Sequence, residues 1–246
     1  MQITLMLAWY DEPEELLHQA VTSAAVIGDR VVAADGAYQQ VTDKRATSPH
    51  SQRQAIERAA LNAGLELDFL PARIWEGQVE KRNALLKAAS EGFETGDFLM
   101  PLDADWVLHG SRDAVRHELA QDYVEQWRVW FHQTVNSARN KPTDYPHDWH
   151  KRYAGQTIRE SLLFRTLYDM KLEKTHWMYS GKRAKGTRVG LSGGTRLGYA
   201  QPISRELQAP FWIEHRAMFR DDKQLERNRL FCQARDAERQ VTGVER

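Results

Sequence analysis

The chain begins with a short apolar run and then repeats one pattern of hydrophobic and polar positions. Ile3 to Trp9 is almost continuously apolar with a polar end, as expected of a parallel strand covered on both faces. Pro13 then opens a helix. Leu16, Leu17, Ala20, Val21, Ala24 and Ala25 fall on one stripe at helical spacing, and Glu14 and Glu15 suit the positive end of the first turn. Gly28 closes that helix, and Val31 to Ala34 predicts a second strand stopping at Asp35-Gly36. Residues 51–63 predict a second helix through Ala55, Ile56, Ala59 and Ala60, and Glu66 to Leu70 a third strand. Residues 78–91 predict a third helix with Ala84, Leu85, Ala88 and Ala89 inward. After Gly96-Asp97 comes a fourth strand, Phe98 to Leu102, running into Asp103-Ala104-Asp105.

Strands and helices alternating in this way predict an α/β fold with a mostly parallel central sheet. Ligands on such sheets collect beyond the carboxyl ends of the strands, where Asp11-Glu12, Asp35 and Asp103-Asp105 would line one crevice. The second half is less regular. Residues 111–133 read as helical and carry Trp127, Trp130 and Phe131, while 136–156 are polar, Pro-containing and loop-like. Residues 158–175 fit helix and strand equally. Residues 180–198 mix glycines with Lys182, Arg183, Lys185, Arg188 and Arg196, as in a mobile basic loop, and 221–239 predict a terminal helix. With no internal repeat and no clear linker, residues 1–246 are expected to form a single domain, with a regular first half (1–110) and a less regular second half (111–246).

Composition narrows the class. Among 246 residues, 41% hydrophobic and 10% aromatic content supports a sizeable core and excludes wholesale disorder. The single cysteine, Cys232, makes neither an internal disulfide nor a zinc site by itself, which fits a reducing interior. The N-terminus has no basic region or cleavage-like site, and no stretch approaches the roughly twenty apolar residues of a membrane span. A soluble, cytoplasmic protein is expected. The net charge of zero conceals a division: residues 1–127 hold 11 basic and 21 acidic residues, whereas 128–196 hold 14 and 5. The partner of that middle segment is expected to be anionic.

Two carboxylates separated by one small residue at a strand end suit a divalent cation. Mg²⁺ and Mn²⁺ prefer oxygen ligands, commonly use only one or two protein carboxylates, and relieve the charge of a diphosphate leaving group. Over roughly residues 1–110 the chain resembles the family 2 glycosyltransferases and their GT-A relatives. Trp9-Tyr10-Asp11-Glu12 stands where that family has Tyr-Asn-Glu, and Ala34-Asp35-Gly36 where it has Asp-Gly. Lys81-Arg82-Asn83 resembles its Arg-Asn helix start, and Pro101-Leu102-Asp103-Ala104-Asp105 its DxD strand. The resemblance implies a metal-dependent transferase with a nucleotide-sugar donor. Tyr10, Glu12 and Asp35 would then line the nucleoside pocket, with Arg82 near the nucleotide, Asp103 near ribose or metal, and Asp105 on Mn²⁺ or Mg²⁺. Further on, Leu163-Phe164-Arg165 with His176, and Ile213-Glu214-His215-Arg216, resemble late elements in which a histidine completes the metal site, and His215 is preferred over His176. The chain departs from the family in having one aspartate at the second strand and no Glu-Asp pair for a catalytic base. Glu160, Asp169 and Glu173 are the carboxylates in that region, each equally suited to pairing with Arg159, Arg165 or Lys171.

Aromatics interleave with cations in the middle segment, a mixture that suits sugars or nucleobases with phosphates. The acceptor is therefore a carbohydrate or small glycoside, or DNA carrying a hydroxylated base that leaves the stack. Lys182, Arg183 and Lys185 would meet either an acceptor phosphate or the donor diphosphate. Two other classes compete. A sugar nucleotidyltransferase would place a basic glycine-rich loop after the first strand, where this chain has Asp11-Glu12-Pro13-Glu14-Glu15. A non-catalytic nucleic-acid-binding protein would leave the acidic crevice without a purpose.

Overall fold

Strands that are apolar throughout pair in parallel and bury both faces. In the computed structural model β1 (Ile3–Trp9) lies between β2 (Arg30–Asp35) and β4 (Phe98–Asp103), and β2 pairs with β3 (Glu66–Phe69), all parallel. The structure describes residues 1–39, 45–92, 97–121, 123–134, 155–174, 178–192, 197–216 and 226. Helices α1 (Glu14–Ala24) and α2 (His50–Ala63) contribute Leu17, Val21, Ile56 and Ala59 to a core with Leu5, Leu7 and Val31. Helix α3 (Gln78–Ser90) covers the other face, where Leu85, Leu86 and Ala89 meet Met6 and Val32.

Beyond β4 the sheet is mixed. It continues through β7 (Thr157–Arg165), β6 (Gln126–Gln133), β12 (Phe211–His215) and β5 (Trp106–Gly110), and β11 (Ser204–Glu206) also pairs with β6. The β4–β7, β7–β6 and β12–β5 pairs are antiparallel, and β6 is parallel to β12 and β11. The fold is thus α/β with a mixed sheet flanked by helices, parallel only in its first part. Two residues, Ala104 and Asp105, join β4 to β5, although β7, β6 and β12 lie between those strands in the sheet. The sheet must therefore curl until the end of β4 meets the start of β5. Strand directions bring Trp9, Asp35, Asp103, Gln133 and His215 to one carboxyl edge.

Two expectations for the second half need correction. Residues 111–133 are not one helix: α4 (Arg112–Gln121) is followed by strand β6. Buried Trp127, Val129 and Phe131 alternate with exposed Arg128 and Trp130, a period of two in an aromatic and β-branched run. The stretch expected as a mobile basic loop is largely a hairpin of β9 (Met178–Lys182) and β10 (Arg188–Ser192), which forms a small antiparallel sheet with β8 (Tyr168–Lys174). Gly181 serves close packing there, since a Cβ would stand 2.7 Å from Leu167 Cβ. Residues 158–175 resolve into β7 and β8. The expected loop 136–156, apart from its last two residues, and the terminal helix 221–239, apart from Glu226, lie outside the described residues. No helix among the described residues is long and apolar enough to cross a membrane.

Candidate active site

The ends of β1 and β2 are tied together from below and from above. Below, buried Lys81 donates from Nζ to the Trp9 and Gly36 carbonyls at 2.6 and 2.9 Å, groups that have run off the end of the ladder. Trp75 Nε1 donates to the Asp35 carbonyl at 2.8 Å. Only glycine fits at position 36, where φ is +125° and a Cβ would come within 1.8 Å of the Arg73 carbonyl oxygen. Above, residues 45–48 strap the crevice. Tyr10 donates its hydroxyl to the Arg45 carbonyl at 2.9 Å, and Arg45 Nη2 reaches Asp11 Oδ2 at 3.0 Å. Ser48 donates to Asp35 twice, through its backbone N–H at 2.9 Å and its hydroxyl at 2.5 Å. Asp11 carries a left-handed backbone, φ 50°, the kind of local strain that gathers at functional sites.

Next to this lies a buried polar cluster on the α3 face. Arg82 Nη2 donates to Asp103 Oδ1 at 2.8 Å. Burial disfavours the guanidinium, but Asp103, Tyr179 and Tyr38 together hold it firmly charged. Burial pushes the Tyr38 hydroxyl up to about 12; Arg82 pulls it down, and Asp103 and Glu12 add to the rise. Tyr10, Glu12, Asp35, Arg82 and Asp103 thus share one stretch of the carboxyl edge. Tyr38 and Ser48 join the same cluster with no signal in the sequence, and Lys81 and Tyr179 join it in roles the sequence does not assign. For Lys81 the signal was present in α3, where buried Lys81 and Arg82 continue the stripe of Leu85, Leu86 and Ala89.

Asp105 turns the other way. Its Oδ2 stands 3.1 Å from His215 Nε2, and the Arg216 N–H donates to its carbonyl at 2.6 Å. His215 Nδ1 donates to Gln133 Oε1 at 2.5 Å, which turns Nε2 toward the carboxylate. The rings of Phe131 and Trp106 flank the histidine, with centroids 5.2 and 6.5 Å away. Two ligands in neighbouring positions of an octahedral cation with bonds of about 2.1 Å stand roughly 3 Å apart, so this pair fits a hard divalent ion. Among the described residues no group of three or more acidic, histidine or cysteine side chains converges as a metal cage. Asp103, expected near ribose or metal, bonds Arg82 through Oδ1. His176 lies outside the described residues.

The three carboxylates considered as base differ sharply. Hydrogen bonds from Lys182 and Arg188 hold the exposed Asp169 carboxyl below its usual range. Burial works upward on Glu173, but hydrogen bonds from Ser180 and Lys171 bring it lower. Burial raises Glu160, whose register partner is the core residue Val129. Of the expected phosphate-binding cations, Lys182 pairs with Asp169 at 2.9 Å, and Arg183 grips Glu125 with two bonds of 2.6 and 2.8 Å. Lys185 is exposed in the β9–β10 turn. No protein-family model and no curated protein matches this chain.

Proposed function

We propose that this chain is a GT-A-type glycosyltransferase that moves a sugar from a nucleotide-sugar donor to a hydroxyl acceptor, with DNA bearing a hydroxylated base as the leading acceptor. The observation that carries the reading is the Asp105–His215 pair at 3.1 Å, set on the same sheet edge as Asp35 and Asp103. The parallel β3-β2-β1-β4 order and the crevice at its carboxyl ends support it. Asp105 and His215 would hold Mn²⁺ or Mg²⁺, which relieves charge on the departing diphosphate. Buried Arg82, kept charged by Asp103, would lend positive charge to the side of the site that meets the nucleotide. In the reaction the bond from the anomeric carbon to the diphosphate breaks and a bond to the acceptor oxygen forms, with the hydroxyl proton passing to a base.

The test is a thermal melt against a panel of nucleotide sugars with and without Mn²⁺. One donor class is expected to raise the melting temperature only when the metal is present; no shift with any donor overturns the reading. Asp35→Ala is expected to weaken nucleoside diphosphate binding by about tenfold, roughly 1.4 kcal/mol, because it removes a polar wall and frees Ser48. Calorimetric titration checks this, and unchanged affinity in both Asp35→Ala and Glu12→Ala would return the two residues to the role of turn formers.

A further inference from the structure

The face of the sheet that carries Asp103 also carries an exposed row of rings. Arg159, Trp130, Trp212 and His109 are successive register partners across β7, β6, β12 and β5. Their face follows from the ladder: Leu99, Phe164 and Gln126 form one row across β4, β7 and β6. Asp103 and Trp130 each lie four residues further along strands that run the same way. They therefore share a face of the sheet, two strands apart.

Trp130 and Trp212 are 41% and 38% exposed, so neither indole is needed to fill the core. The Arg159 guanidinium lies 3.4 Å from the centre of the Trp130 ring, and His109 stacks on Trp212 at 3.9 Å with 10° between the planes. Arg159 comes from β7 and His109 from β5, the two strands flanking the tryptophans, and His132 of β6 meets Trp212 edge-on with centroids 6.4 Å apart, so rings and a cation frame the two exposed indoles. Two guanidiniums, Arg128 and Arg159, share the carboxylate of Glu206 at 3.1 and 3.6 Å, while Glu214 answers Arg216 and His109, so cations exceed carboxylates among these groups. Exposed indole surface suits a flat ring, and cations in excess suit phosphates.

We propose that Trp130 and Trp212 form a slot that stacks an unpaired base of single-stranded or locally opened DNA, with Arg128 and Arg159 on the neighbouring phosphates. The inference rests on the glycosyltransferase reading, for which it names the acceptor site: the base would be held on the face of the sheet that carries Asp103. An uncharged oligosaccharide also stacks on tryptophan, but it gives the paired guanidiniums nothing to neutralise.

Anisotropy titration of a labelled single-stranded DNA oligomer at low salt tests the slot in the full chain, alongside Trp130→Ala, Trp212→Ala and Trp130→Phe. The wild-type chain is expected to bind. Each alanine should weaken binding roughly 5- to 100-fold, the range that loss of one stacked base implies, while phenylalanine retains most of it. Far-UV circular dichroism should be unchanged in these surface variants. Absence of DNA binding, alanine variants that bind like wild type, or displacement of the DNA by an uncharged oligosaccharide overturns the slot. A parallel nucleoside diphosphate titration with Mn²⁺ separates the two proposals. DNA binding lost with donor binding kept in the alanine variants supports the slot. Tryptophan-dependent DNA binding in a chain that takes up no donor supports the slot and removes the glycosyltransferase reading.

Discussion

Asp105→Ala is expected to abolish sugar transfer, by a factor on the order of 10³ or more, because relief of charge on a departing diphosphate contributes several kcal/mol to the transition state. The fold should survive. The Arg216 N–H donates to the backbone carbonyl of Asp105, which alanine retains, and Gln133 still holds His215. Asp105→Asn keeps the size and the contact with His215 but removes the charge, and it should be nearly as inactive. Turnover of the purified variants, with thermal melts as the check on folding, decides the matter. Full activity of Asp105→Ala, or undiminished wild-type activity in excess chelator, sinks the metal assignment.

Arg183→Ala is expected to cost stability rather than to blunt an encounter with phosphate. Glu125 is fully buried, and its carboxylate receives Arg183 twice and the Ile203 N–H at 2.8 Å, tying the start of β6 to the end of β9 and to the segment before β11. Removing the arginine strands a buried carboxylate, at about 2–4 kcal/mol, toward the low side for a buried pair because Arg183 is partly exposed. Burial alone pushes Glu125 up, yet Arg183 and Ile203 hold it below the ordinary glutamate range. A depressed carboxyl contributes stability above its unfolded pKa and loses it as pH falls through the folded value. The deficit of the variant should therefore be largest near neutral pH and shrink on acidification. Denaturant melts at pH 7 and in the acid range test this, and a pH-independent deficit of a few tenths of a kcal/mol would contradict it.

The first hundred residues were legible because each element answers to one period and one set of neighbours. Ile3–Trp9 is a strand with the bounds expected of it, and Leu16, Leu17, Ala20, Val21 and Ala24 are buried as their spacing predicts. The three motifs at the strand ends meet on one edge because parallel strands leave no other place for them, and Arg82 joins Asp103 there from α3. The second half was less legible for a physical reason. Strands of the mixed part take their neighbours from far along the chain, and β6 pairs with β7, β11 and β12, whose sequences lie up to about eighty residues away. Cations misled in the same way. Arg183 and Lys182 look like free charge in sequence, whereas Glu125 and Asp169 answer them only in three dimensions. Lys81 shows the reverse error, a lysine read as part of a motif but given no role, although it braces two strand ends.

The insertion of β12 between β6 and β5 has a consequence for biosynthesis. Until residues 211–215 emerge and slide into that gap, β5 and β6 face each other as two open edges with unpaired backbone groups. The same insertion delivers His215 to Asp105, a contact spanning 110 positions of the chain. The nascent protein therefore passes through a long interval in which it is prone to edge pairing, and β12 fills the gap and completes the candidate metal pair in one event. A chain stopped before β12 would expose both edges and lack His215, so on the proposed reading sugar transfer would report that this strand is in place.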